Sequence, residues 1–305
     1  MSKSVEDILV KIPIIRQIIF LTKKIKLPGF EGLSLFDLLK TYIIGIIEGT
    51  FSPRAGSIAF SFFMALFPFL LFLLNLIAYL PIERQDLFNF IESLLPAQTT
   101  EFFLPIIKDI AENPRGGLLS IVFLLAIFLM TNGINAIFSG FEYSYHVSIN
   151  RTVIKQYFVA LLVSIFLALL LLFSIFLIVY SEYLINTLQS EDIISKDVIW
   201  VTSIRYIIFV FLVYFVIAIL YYFGIKKEGK SIRFFSIGAI ITTLLFMATT
   251  YFFGVYINNF SNYNELYGSI GALLIMMLYI WINSNILLLG FELNATLKSL
   301  RNKKD

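Results

Sequence analysis

SIAFSFFMALFPFLLFLLNLIAYL, residues Ser57–Leu80, carries no charged side chain over its whole length. About 20 apolar residues suffice for a helix to cross ~30 Å of hydrocarbon, so this stretch reads as a membrane span. Five further runs have the same character: Gly117–Gly140, Gln156–Ser181, Ile199–Gly224, Phe234–Ile257 and Gly268–Thr296. A soluble domain of 305 residues has too little core to bury six such runs. Strands of a transmembrane barrel would alternate in and out over ~10 residues, which these runs do not do. Helices satisfy their own backbone in lipid, and the sequence therefore predicts an all-α, polytopic membrane bundle of six transmembrane helices.

Composition agrees: 59% of residues are hydrophobic and 14% charged, with 33 Phe. Cysteine is absent, which removes disulfides, thiolate metal sites and thiol nucleophiles. The Lys and Arg distribution predicts orientation. Eighteen of the 23 fall in the N-terminal segment up to Arg54, in the second–third and fourth–fifth connections, and in the tail from Lys298. The opposite side has four, Arg84, Lys108, Arg115 and Lys196, and Arg205 lies within a span. Both termini are thus expected in the cytoplasm.

Three regions are expected. Residues 1–50 read as N-terminal interfacial helices. In the first, Val5, Ile8, Leu9, Ile12, Ile15 and Ile19 recur at helical spacing. A second runs from Ser34 to Gly49, opened by a Ser34-x-x-Asp37 capping box. Residues 51–298 form the six-span domain, and 299–305 a basic tail. Within the domain, residues 81–116 read as a small, acidic, helical extracytoplasmic cap, either a lid on the outer mouth or a surface for a partner. No cleavable signal is apparent in the first residues.

Polar residues inside the spans are the functional signal, because a charge in hydrocarbon costs at least ~2.5–3.5 kcal/mol. Asn132 and Asn135 in the second span lie at a similar depth to Asn283 and Asn285 in the sixth. Glu142, Glu292 and Asn294 lie further toward the cytoplasm, and Arg54 with Ser57 sits at the inner mouth of the first span. One reading gathers these nine residues around an inward-facing polar cavity, with Arg54 as its cation and the two glutamates as counter-charges or proton carriers. The other reading makes the asparagines interhelical hydrogen-bonding glue. Pro68 is a candidate hinge. Ala55-x-x-x-Ala59 and Ser57-x-x-x-Ser61 give the first span small faces for close packing.

Several ordered patterns resemble the YihY/BrkB family of bacterial inner-membrane proteins, once labelled ribonuclease BN. They are Ala59-Phe60 with Ala65-Leu66-Phe67-Pro68, then Asn132-Gly133-Ile134-Asn135-Ala136 followed by Tyr145, Val147 and Arg151, then Gly238-Ala239. The most specific set is Tyr263-Asn264, Tyr267 to Ala272, Trp281 and Leu289-Gly290-Phe291-Glu292-Leu293-Asn294-Ala295. Glu142, Ile149 and Ile237 depart from the family pattern. The resemblance implies six spans, a cytoplasmic-membrane address and a role in transport or envelope-lipid handling.

The old nuclease label finds no support in residue chemistry. Metal-assisted cleavage needs clustered carboxylates and histidines, and the chain has one histidine, His146. A basic, aromatic-interleaved nucleic-acid surface is not evident, and there is no phosphate-binding G-x-x-x-x-G-K-[ST] loop. The expectation is a transporter or flippase-like carrier of a lipid or small amphiphilic or anionic solute, without a cofactor, a catalytic set or a metal. Membrane lipids are the expected partners and nucleic acid is not. The alternatives are an envelope assembly scaffold and, third, an intramembrane lipid-modifying enzyme.

Overall fold

The computed structural model describes residues 22–26, 34–48, 50–77, 108, 116–142, 144, 152–190, 199–224, 234–259 and 269–302. Seven helices follow in chain order among the described residues: α1 (Leu35–Glu48), α2 (Phe51–Ile77), α3 (Gly116–Glu142), α4 (Val153–Ser190), α5 (Ile199–Gly224), α6 (Ile237–Asn259) and α7 (Ser269–Asn302). The last six are each long and apolar enough to cross a membrane. The expected first amphipathic helix, the cap at 81–116, His146 and the Arg205 side chain fall outside what is described, apart from Thr22–Lys24, Lys108 and Gly116.

Local chemistry sets the helix starts. Ser34 and Asp37 form the capping box: the Ser34 N–H donates to Asp37 Oδ2 at 3.1 Å, and the Asp37 N–H donates to Ser34 Oγ at 3.2 Å. Ser236 opens α6 in the same manner, its Oγ accepting from the Ala239 N–H at 3.3 Å. Helix α2 runs unbroken through Pro68, which is buried. At 38 residues α4 is about 57 Å long at 1.5 Å per residue, so it projects beyond the hydrocarbon.

The six long helices close a ring in which each packs on its neighbour in sequence, and α7 returns to α2. Helix α3 also touches α5 and α7 across the ring, and α1 lies along α7 with a lesser contact on α2. Small residues allow the closest approaches. Ala55 and Ala59 of α2 are fully buried. Gly133 and Gly140 of α3 lie against Phe62 and Ile58 of α2.

The core occupies one end of the ring. It is built from the start of α2 (Ala55, Ile58), the end of α3 (Ile137, Phe138, Phe141), the start of α4 (Ala160, Val163), the end of α5 (Ile217, Tyr221), and Leu288 and Phe291 of α7. Phe141 stacks on Phe291 at 4.0 Å between centroids, and Tyr221 meets both rings edge-on. Toward the other end α2 still meets α3 through Phe72 and Phe123, and α6 meets α7 through Thr250, Phe253 and Tyr279, whereas α5 is bare. Ile207, Ile208, Phe209, Val210 and Phe211 of α5 are all exposed, and five successive residues cover more than a full helical turn. That stretch is therefore uncovered on every side.

Candidate functional site

Polar side chains at the packed end fall into three groups. The first centres on Glu292, which follows the stacked ring of Phe291 and has no exposed surface. Ser144, just beyond α3, donates its hydroxyl to Glu292 Oε2 at 2.6 Å. The Ser144 N–H donates to the Phe141 carbonyl at 3.1 Å, which fixes the hydroxyl beneath the α3 terminus. Arg54, in the first turn of α2 and 6% exposed, interacts electrostatically with Glu292. Its guanidinium also lies 5.8 Å from the centre of the Phe51 ring.

Tyr42 of α1 completes this group. Its hydroxyl donates to the Leu289 carbonyl at 3.1 Å, one turn before Glu292. Burial, and then the charge of Glu292, push its pKa up to about 12, so the phenol stays a proton donor throughout the physiological range. Four segments distant in sequence thus converge on one carboxylate. Charge, donor hydroxyl and cation are held in a place closed to solvent, where electrostatic interactions are strong.

The second group lies in the seam between α3 and α4. Asn135, Ser139 and Glu142 occupy one face of α3 at spacings of four and three. Gln156 of α4 is buried against them. A carboxylate only accepts hydrogen bonds, so the Gln156 amide nitrogen faces Glu142, 2.6 and 2.9 Å from its two oxygens. The amide oxygen then accepts from Ser139 Oγ at 3.0 Å. Further along the seam Tyr157 donates to Asn132 Oδ1 at 3.3 Å, and the Thr131 and Ser164 hydroxyls are 3.0 Å apart.

The third group ties α5, α6 and α7. Asn294 reaches from α7 to the start of α6, accepting from the Gly238 N–H and donating to Ser236 Oγ, both at 2.9 Å. Tyr221 donates to the Leu287 carbonyl at 2.7 Å and lies 2.8 Å from Thr242 Oγ1. These bonds require Gly238 and Gly290 to meet almost backbone to backbone.

Of the residues singled out in the sequence, the structure brings Arg54 and Glu292 together. Asn132, Asn135 and Glu142 share the α3–α4 seam instead, and Asn294 caps a neighbouring helix. Asn283 and Asn285 turn their amides back on α7, donating to the Tyr279 and Trp281 carbonyls at 2.9 and 2.7 Å. Ser57 is exposed, and Pro68 is buried within α2. Sequence reasoning missed Tyr42, Ser144, Gln156, Tyr221 and Thr242. Ser144 and Glu292 are 148 positions apart, and Tyr42 and Leu289 are 247 apart, so no local pattern marks either pair. Among the described residues no three His, Asp or Glu converge as a metal site would require.

Comparison with known proteins adds a family. The virulence factor BrkB family matches residues 46–305. A putative ribonuclease-like protein, YfkH of Bacillus subtilis, is 31% identical over 83% of this chain and 92% of its own length. A UPF0761 membrane protein of Psychrobacter is 25% identical over 89% of this chain, which spans only 50% of that relative. Another from Coxiella burnetii is 22% identical over 78% of this chain and 84% of its own length. No solved structure matches.

Proposed function

This chain belongs to the virulence factor BrkB family of membrane proteins, and from that premise we propose that it is a carrier or flippase-like transporter of a lipid or small amphiphilic or anionic solute. The observation that carries the reading is the fully buried Glu292 carboxylate, bonded to Ser144 and coupled to buried Arg54. A buried acid among apolar helices is costly, and such residues in membrane bundles commonly handle a proton, an ion or a substrate charge. Glu292 would carry the proton or balance the solute's charge, and Arg54 would pair with whichever partner the acid releases.

An amphiphilic solute is supported by the uncovered stretch from Ile207 to Phe211, away from the packed end. Apolar walls there can receive a chain, while the buried Arg54 and Glu292 lie at the packed end. We place the protein in the bacterial cytoplasmic membrane with both termini inside, on the strength of its eighteen inner Lys and Arg against four outer ones. We read it as non-enzymatic. The ribonuclease-like name belongs to the Bacillus relative, and this chain offers a single histidine to such chemistry.

A second reading, a non-transporting scaffold for envelope assembly, is favoured by one observation. Asn294 and Gln156 spend their amides on fixed interhelical bonds, which rigidify the bundle. Reconstitution into liposomes with fluorescent lipid and ion reporters separates the two. A carrier moves at least one reporter with intact Glu292 and falls to the protein-free background with Glu292→Gln. Equal flux in both proteins, or background flux in the wild type, would remove the carrier reading.

A further inference from the structure

Thr50, between α1 and α2, has φ 45°, a left-handed conformation that β-branched residues rarely adopt. It joins two helices of different character. Helix α2 enters the ring, whereas α1 lies outside it along α7. One side of α1 docks through Tyr42, whose hydroxyl meets the Leu289 carbonyl at 3.1 Å. Next to this contact, Leu39 and Ile43 are both exposed. Nearby, the ammonium groups of Lys23 and Lys40 stand 4.7 and 5.9 Å from the Phe36 ring. Such a helix can rest in the membrane interface whether or not it touches the bundle.

The contact sits at a sensitive place. Leu289 is one turn from Glu292, and Glu292, Ser144 and Arg54 are 0, 4 and 6% exposed. A solute or proton cannot reach that group from the side where α1 lies unless something moves. The hydrogen bond that fastens α1 is itself cheap to exchange. A carbonyl has two lone pairs, so Leu289 keeps its own helical bond when Tyr42 leaves, and the phenol exchanges it for water. Any movement of α1 against α2 turns about the joint at Thr50.

We infer that α1 is a hinged strap that closes the entrance to the Glu292 site, with Thr50 as the hinge and the Tyr42–Leu289 bond as the latch. Its purpose rests on the carrier reading; its existence does not. The strap is shut in the structure described, and opening would expose Ser144 and Glu292 to water while the ring of six helices stays intact.

The chain contains no cysteine, so one thiol can report on access. Ser144→Cys puts it beside Glu292. Thr296→Cys, fully buried one turn further along α7, is a second reporter should the first fail to fold. The full chain is reconstituted in nanodiscs and its reaction with a charged maleimide is timed. Adding Tyr42→Phe should raise the rate about five- to tenfold, the shift expected from losing one net hydrogen bond. Adding Thr50→Gly should lower it, because glycine accepts this φ and favours the docked strap. Unchanged rates with Tyr42→Phe at the working reporter, or a faster rate with Thr50→Gly, would overturn the strap. If Tyr42→Phe does not fold, the Thr50→Gly rates decide. Liposome flux tests the carrier separately, so either idea can fail without the other.

Discussion

A methyl group on Gly290 would run into Thr242 Oγ1 and lie 2.6 Å from the Tyr221 hydroxyl and 2.9 Å from the Gly238 carbonyl. Two of these neighbours are themselves hydrogen-bonded and cannot give way without breaking a bond. Gly290→Ala should therefore cost about 1–3 kcal/mol, the range for overpacking a tight contact. Gly56 in α2 has nothing within 4 Å of such a methyl. Gly56→Ala should be neutral, or stabilising by up to about 1 kcal/mol through helix propensity. Thermal unfolding in detergent checks the pair: the melting temperature should fall for Gly290→Ala and hold or rise for Gly56→Ala. Similar melting temperatures would mean that the α6–α7 crossing is looser than described. At this same scale the need of Glu292 for a partner was readable from its apolar surroundings. The identity of its donor, Ser144, was not, because a serine beyond the end of a span looks like any loop residue.

Single elements depend on side chains lent by others. Helix α6 begins at the packed end, where its first amides are shielded from water. Ser236 satisfies one of them and Asn294 of α7 another. Removing the second cap with Asn294→Ala should cost about 0.5–2 kcal/mol, and more if the buried Gly238 N–H finds no water. Amide hydrogen exchange should accelerate at Gly238 and Ala239 and leave the α3–α4 seam unchanged. Uniform acceleration over the bundle would instead make Asn294 a global packing residue. The capping box of α1 was legible because both of its members lie within four residues. The Asn294 cap was not: an asparagine in a span reads equally as pocket lining or glue until the neighbouring helix is in place.

At the level of the whole molecule, the buried charges Arg54 and Glu292 sit at the end of the ring where the core packs. The charge distribution is the ground for proposing that the packed end faces the cytoplasm, and the absence of native cysteine makes this easy to check. In sealed cells Lys108→Cys should react with a membrane-impermeant maleimide added outside, whereas Lys298→Cys should react only after permeabilisation. The reverse pattern would invert the bundle and set Glu292 near the outer leaflet. An inverted bundle would also turn the α1 strap to the outside.

Hydropathy alone determined that the chain is a six-span helical membrane protein, because each span must satisfy its own backbone and hide in lipid independently of its neighbours. It also determined that Arg54 and Glu292 need company, since a charge in hydrocarbon is costly wherever it sits. Tertiary structure decided which company: α1 returning to α7, Ser144 meeting Glu292, Gln156 meeting Glu142 and Asn294 capping α6. Those choices depend on how the helices rotate and cross, and rotation is set by close packing at residues such as Gly238, Gly290, Ala55 and Ala59. Patterns within one helix record which face is apolar, and not which neighbour will cover it.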